Sequence, residues 1–253
     1  MFQRFFSAAA GTVLTLALSR MRSDTALSML EHLVKKRLHR LSPADGLRFL
    51  LRLDAIVYNL AGQKSVEYGG GLHTKHRHTC YHDFFINRIQ AGETVLDIGC
   101  GNGALSYDIA ERAGACVVGI DKNPQNIEKA RQRFSHRNIS YVTGDVLNGL
   151  PERRFATVVL SNVLEHLPQR TAFLQRVDEL VRPERFLLRV PLFERDWRVP
   201  LKKELGVEWR LDATHETEYT IESFKEEITS AGLKICYQEV RWGEIWAEAA
   251  TKH

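Results

Sequence analysis

From Thr79 onward, short apolar runs alternate with longer amphipathic stretches, and this alternation limits the fold more than any other feature of the chain. The runs cover residues 94–98, 116–120, 139–142, 156–160 and 186–190. Each has the length of a strand, and the nearly all-apolar 156–160 run needs both faces covered, as in a parallel sheet. Helical spacing appears between them at 104–113, 123–135 and 169–181. Another helix, marked by Tyr81, Phe84, Phe85, Arg88 and Ile89, precedes the first run. Pro124 stands in the first turn of its helix, where a proline is tolerated. Strand–helix–strand units wind right-handedly into one parallel sheet. Thr220 caps a last helix at 220–231 that Gly232 closes, and two strands at 234–240 and 244–249 follow, turning at Trp242-Gly243. The pattern therefore predicts an α/β fold: a doubly wound, seven-stranded, mostly parallel sheet with an antiparallel strand in its C-terminal hairpin.

Residues 1–75 read differently. They are helical and basic, with Leu27, Leu30, Leu33, Val34 and Leu38 at helical spacing, then Phe49, Leu50, Leu53, Ile56 and Val57. Gly69, Gly70 and Gly71 break this pattern and suggest a hinge or lid. The expected organisation is a helical N-terminal extension over 1–75 and an α/β domain over 76–253.

Ligands of doubly wound sheets bind outside the carboxyl ends of the strands, where the winding reverses. The first strand here runs into Asp97-Ile98-Gly99-Cys100-Gly101-Asn102-Gly103. Its glycines allow a tight turn and close approach of backbone to ligand. Gly99-x-Gly101-x-x-Ala104 also satisfies the dinucleotide fingerprint, with Asp121 near the distance expected for a ribose ligand. Charge separates the two readings. A dinucleotide brings a pyrophosphate, which favours a helix dipole with no anion nearby. This chain instead ends three successive strands with an acid, Asp97, Asp121 and Asp145. Three carboxylates suit a cation that carries a ribose and an adenine.

These residues resemble those of class I S-adenosylmethionine-dependent methyltransferases. Val95 to Gly103 looks like their first motif, Val118-Gly119-Ile120-Asp121 their second and Gly144-Asp145-Val146 their third. Val158 to Leu167, read through Ser161-Asn162-Val163-Leu164-Glu165-His166, resembles the fourth in the form seen in ubiquinone-biosynthesis-type enzymes. The likeness covers roughly residues 79 to 250. It implies a Rossmann-like methyltransferase fold with S-adenosyl-L-methionine as cofactor. By that resemblance Asp97, Gly99, Cys100 and Gly101 meet the methionine part of the cofactor. Asp121 takes both ribose hydroxyls, with Lys122 beside it where an apolar residue is common. Asp145 accepts from the adenine amino group, the Val146 backbone reads the ring edge, and Asn162 lies near the sulfonium.

Methyl transfer is an in-line displacement, so the main task is alignment of acceptor and sulfonium. An oxygen acceptor also needs a base for its proton. His166, just past the fourth strand, and His215, in the segment after the fifth, are the candidate catalytic residues. Glu165 is placed to orient either histidine or to bind a metal. The segment from Leu192 to Tyr219, with Trp197 and Trp209, has the length and position of a lid over the acceptor. His78 and His82 share a helical face, but no second pair matches them, and no metal ligand is assigned. Lys75, His76 or Tyr81 is available to a methionine carboxylate or an anionic substrate.

The net charge of +4 is mild, and its clearest run, Lys35, Lys36, Arg37, His39 and Arg40, reads as a solvated helix face. No nucleic-acid partner is expected. Cys80, Cys100, Cys116 and Cys236 form no CxxC pair, which argues for free thiols in a reducing, cytoplasmic setting. Residues 5–18 are mostly apolar between Arg4 and Arg20, shorter than the roughly 20 residues of a membrane span. A targeting peptide, a helix on a membrane surface and a helix packed on the domain all fit them. The sequence thus points to methylation of a small molecule, at an oxygen of a sugar, glycolipid or quinone precursor, by a cytoplasmic protein with peripheral membrane contact through its N-terminus. Transfer to carbon or nitrogen on a small molecule, protein or RNA, an inactive scaffold of the same fold, and a nicotinamide dehydrogenase are the competing readings.

Overall fold

The computed structural model describes residues 20–251, so the apolar stretch at 5–18 lies outside the described residues. The chain divides into two compact units, Met1–Val57 and Tyr58–His253. The first holds helix α1 (Ser23–Leu38) and most of α2 (Pro43–Tyr68). Ser42 caps α2: its hydroxyl accepts from the Asp45 amide at 3.2 Å and donates to the Asp45 carboxylate at 2.7 Å. Gly46 of α2 faces Leu38 of α1, where a Cβ would make an ordinary contact at 3.5 Å. Leu27, Leu30 and Leu33 of α1 remain exposed. Among the described residues no helix is long and apolar enough to cross a membrane.

The second unit is the α/β domain. After the short helices α3 (Lys75–Thr79) and α4 (Tyr81–Ile86) come β1 (Thr94–Ile98), α5 (Ala104–Asp108), β2 (Cys116–Asp121), α6 (Pro124–Arg133) and β3 (Ile139–Thr143). Then follow β4 (Thr157–Ser161), α7 (Arg170–Val181), β5 (Arg185–Pro191), α8 (Arg198–Glu204), α9 (Ile221–Ser230), β6 (Lys234–Arg241) and β7 (Glu244–Ala250). The sheet order is β3-β2-β1-β4-β5-β7-β6. The first five strands are parallel, and β7 runs antiparallel between β5 and β6. This is the seven-stranded architecture that the alternation predicts, with every strand within two residues of its expected bounds.

Both faces of the central strands are buried, which explains their apolar character. Val158 and Leu160 of β4 and Phe186 and Leu188 of β5 pack on Phe173, Leu174 and Val177 of α7 and on Phe224 and Ile228 of α9. The alternate residues Val159 and Leu187 face Phe84, Phe85, Ile109 and Trp246. Each such side chain contributes roughly 1.5–3 kcal/mol when fully buried. The stretch expected as one helix at 104–113 widens after α5 into a π turn over Ile109–Ala113. The wider turn accommodates two adjacent buried residues, Ile109 and Ala110. The segment expected as a lid contains α8, where Pro200 is accommodated because first-turn amides need no partner within the helix.

Candidate active site

The winding reverses between β1 and β4, so a crevice opens at the carboxyl ends of those strands. The glycine turn sits there. Gly99 and Gly103 have φ of 70° and 83°, and neither has room for a side chain. A Cβ on Gly99 would lie 2.6 Å from Val163, and one on Gly103 would lie 2.6 Å from the Tyr141 hydroxyl. The Gly99 and Cys100 amides both donate to the Ile120 carbonyl, at 2.7 and 3.0 Å, pinning the turn to β2. The Gly101 amide donates to one Asp121 oxygen at 2.9 Å, and the Asn123 amide donates to the other at 2.8 Å. Asp121 therefore shapes the turn from the end of β2.

Asp97 lies beneath this turn, 2% exposed, and accepts from the Ser106 hydroxyl at 2.5 Å. Burial pushes its carboxyl up to about 7; the Ser106 hydrogen bond opposes the rise and the Asp121 charge adds to it. A buried carboxylate with an acid beside it is stabilised by an arriving cation. Asp145 is exposed at the end of β3 and accepts from the Leu147 amide at 3.0 Å. Val146 points into the core, Lys122 is exposed, and Cys100 is buried with its sulfur 3.0 Å from where a Gly119 Cβ would stand. Asp97 and Asp121 thus share one environment, while Asp145 forms its own turn on the neighbouring strand.

Across the end of β4, the two candidate histidines meet. The rings of His166 and His215 stand edge to face, with centroids 4.5 Å apart. Each has its Nδ1 engaged: His166 lies 3.0 Å from the Thr214 hydroxyl, and His215 lies 3.1 Å from the Glu218 carboxylate. Burial raises the cost of charging His166, and the neighbouring His215 adds to it, so its pKa is lowered. Burial opposes ionisation of Glu218, yet hydrogen bonds from His215, the Leu211 amide and Arg195 hold it below the usual carboxylate range. Glu165 is fully buried, neither of its oxygens is hydrogen-bonded among the described residues, and burial pushes it up to about 8. One donor atom each from Glu165, His166 and His215 lie within 4.8 Å of one another. An unpartnered buried carboxylate with two imidazoles is a donor set that suits a divalent cation.

Asn162 follows β4 in the left-handed region, φ 56°, and its Oδ1 accepts from Arg189 Nε at 2.8 Å. The sequence reading missed Arg189 and Glu218. The signal for Arg189 was available: it is a charge inside a strand that must be covered on both faces. Nothing local marks Glu218, because its partners come from residues 195, 211 and 215.

The glycine turn and the strand-end acids lie within one segment that is similar to known proteins. Residues 95–184 match the model of a methyltransferase domain family, so the resemblance carried by the strand-end acids holds for that segment. The chain is 32% identical over 156 residues to the ubiquinone biosynthesis O-methyltransferase of Rhodopseudomonas palustris, covering 58% of this chain and 61% of that protein. It is 37% identical over 114 residues to the ribosomal protein L11 methyltransferase of Burkholderia orbicola, covering 45% and 36%. The chain thus spans 61% or less of these relatives' length. Among solved structures, the magnesium protoporphyrin IX methyltransferase of Synechocystis with bound SAH aligns over 75% of this chain and 86% of that one. The TM-score is 0.56 at 22% identity, a likeness of fold.

Proposed function

We propose that this chain transfers a methyl group from S-adenosylmethionine to an oxygen atom of a small molecule. The observation that carries this reading is the pairing of Asp97 and Asp121 around the glycine turn at the point where the sheet reverses. A sulfonium and an ammonium fit that anionic crevice, and a pyrophosphate does not. Gly99 and Gly101 let the methionine part approach the backbone, Asp121 faces the ribose, and Asp145 with Val146 serves the adenine. Asn162 lies at the reacting end.

On the acceptor side, His215 or His166 takes the hydroxyl proton as the oxygen attacks the methyl carbon and the sulfur leaves as a thioether. A divalent cation held by Glu165, His166 and His215 would supply a second means of acidifying that hydroxyl. The names of the curated relatives, ubiquinone biosynthesis O-methyltransferase and ribosomal protein L11 methyltransferase, support methyl transfer in general, and the first supports oxygen.

Calorimetry with S-adenosylhomocysteine and with NAD tests the cofactor. Binding of the former alone, weakened at least about tenfold by Asp121→Asn, is expected from loss of a charge-assisted hydrogen bond. Binding of NAD, or of neither, would reject the reading. Unchanged turnover in both His166→Ala and His215→Ala would move the acceptor atom to carbon or nitrogen.

A further inference from the structure

Arg189 stands near the carboxyl end of β5, between Leu188 and Val190, with its side chain 5% exposed. A buried guanidinium needs partners for its N–H groups. Its Nε donates to Asn162 at 2.8 Å and lies 3.3 Å from the Glu244 carboxylate. Its carbon lies 3.7 Å from the centroid of the Tyr81 ring. Its Nη1 is buried and has no hydrogen-bond partner among the described residues. The Tyr81 hydroxyl is 3.1 Å from His76 Nδ1, and Lys75 precedes His76 at the start of α3.

Desolvation and the charge of Arg189 both hold the Lys75 ammonium below its usual range, with Glu244 the acid that offsets them. Burial, followed by the charges of His82, Lys75, Arg189 and His73, lowers His76 to about 4, so it is neutral at physiological pH. Arg189 and Lys75 therefore stand in one neighbourhood with Glu244, and Arg189 carries a buried N–H with no hydrogen-bond partner among the described residues. That arrangement favours an anionic ligand. Its place also matters. β5 lies beyond β4, on the side of the sheet away from the strand ends that carry Asp97, Asp121 and Asp145.

We propose that the methyl acceptor is itself an anion, whose carboxylate or phosphate group is held by Arg189 and Lys75 beside Asn162. This rests on the methyl-transfer reading above. Arg189, anchored by Asn162 and stacked on Tyr81, supplies the fixed donor. Lys75, on an exposed position of α3, closes on the anion from the rim. The competing occupant for the same cations is the carboxylate of the cofactor's methionine part.

The test incubates the full chain with methyl-labelled S-adenosylmethionine and a deproteinised metabolite extract, then separates labelled products by anion exchange at neutral pH. Label in the retained, anionic fraction is expected; its release by phosphatase identifies a phosphate, and resistance identifies a carboxylate. The partially purified acceptor should show a KM raised about tenfold or more in Lys75→Met and in Arg189→Met, the size of a lost charge-assisted bond. Affinity for S-adenosylhomocysteine should stay unchanged in Lys75→Met, which also reports folding. Label in a neutral product overturns the proposal. So does a Lys75→Met variant that loses S-adenosylhomocysteine affinity while keeping that for 5′-methylthioadenosine, which lacks the carboxylate. No labelled product at all, despite S-adenosylhomocysteine binding, rejects methyl transfer to a small molecule and the inference with it.

Discussion

Replacing Asp97 with asparagine separates the electrostatic role of this residue from its packing. In the folded chain its carboxyl titrates near 7 because burial, reinforced by Asp121, disfavours the anion. Its model value is 3.8. The folded state therefore holds a proton that the unfolded state has lost over the window from about 4 to 7. A raised pKa contributes stability at low pH that disappears as pH rises through the folded value. The slope is about 1.4 kcal/mol per pH unit inside that window, so going from pH 5 to pH 8 costs roughly 2–3 kcal/mol. For a chain of this size that is a fall in Tm of about 5–10 °C. Asparagine keeps the shape and an acceptor for Ser106, but it cannot titrate.

Glu165 titrates in the same direction, and His166 and His76 in the opposite one, so the informative quantity is the difference between wild type and Asp97→Asn at each pH. Thermal melts of the ligand-free proteins from pH 5 to 8 provide it. The variant should gain on wild type steadily until about pH 7 and then level off. Cofactor binding should mirror this: affinity of wild type for S-adenosylmethionine rises with pH up to about 7, and that of the variant does not. A difference curve that is flat, or that slopes the other way, would refute the argument that an uncompensated carboxylate waits under the glycine turn.

Other perturbations test the surroundings. Gly99→Ala places a Cβ 2.6 Å from Val163 at a φ of 70°, so cofactor affinity and Tm should both drop, with Val163→Ala restoring part of each; no loss would mean that the turn is slack. Glu218→Gln removes the charge that orients His215, and kcat should fall about 10–100-fold with cofactor affinity intact, in line with the cost of misplacing a general base. A fall only in protein stability would make Glu218 a structural residue. Manganese or zinc at 100 times its dissociation constant should stabilise the chain by about 2.7 kcal/mol if Glu165, His166 and His215 bind it. His166→Ala should abolish that shift, and a chelator should reverse it; an equal shift in the variant would place the ion elsewhere.

Much of this molecule is legible along the chain because its signals are local. A strand covered on both faces must be apolar throughout, so β1, β2, β4 and β5 declare themselves within five to seven residues. The glycine turn is readable for the same kind of reason: a left-handed φ at Gly99 and Gly103 with no space for a Cβ leaves glycine as the residue that fits. The acids at the ends of β1, β2 and β3 follow once the strands are placed. Tertiary structure alone decided the rest. His166 and Glu165 meet His215 and Glu218 across about fifty residues, through a segment that pattern reading leaves shapeless and whose helix α8 carries a proline. Whether Asp97 lies buried over Ser106 or open to water, and whether Arg189 finds a partner for every N–H, depends on which side chains the crossovers bring above the sheet. Periodicity encodes which face of an element is covered; the charge state and company of a polar group are set by distant residues, and only packing brings those together.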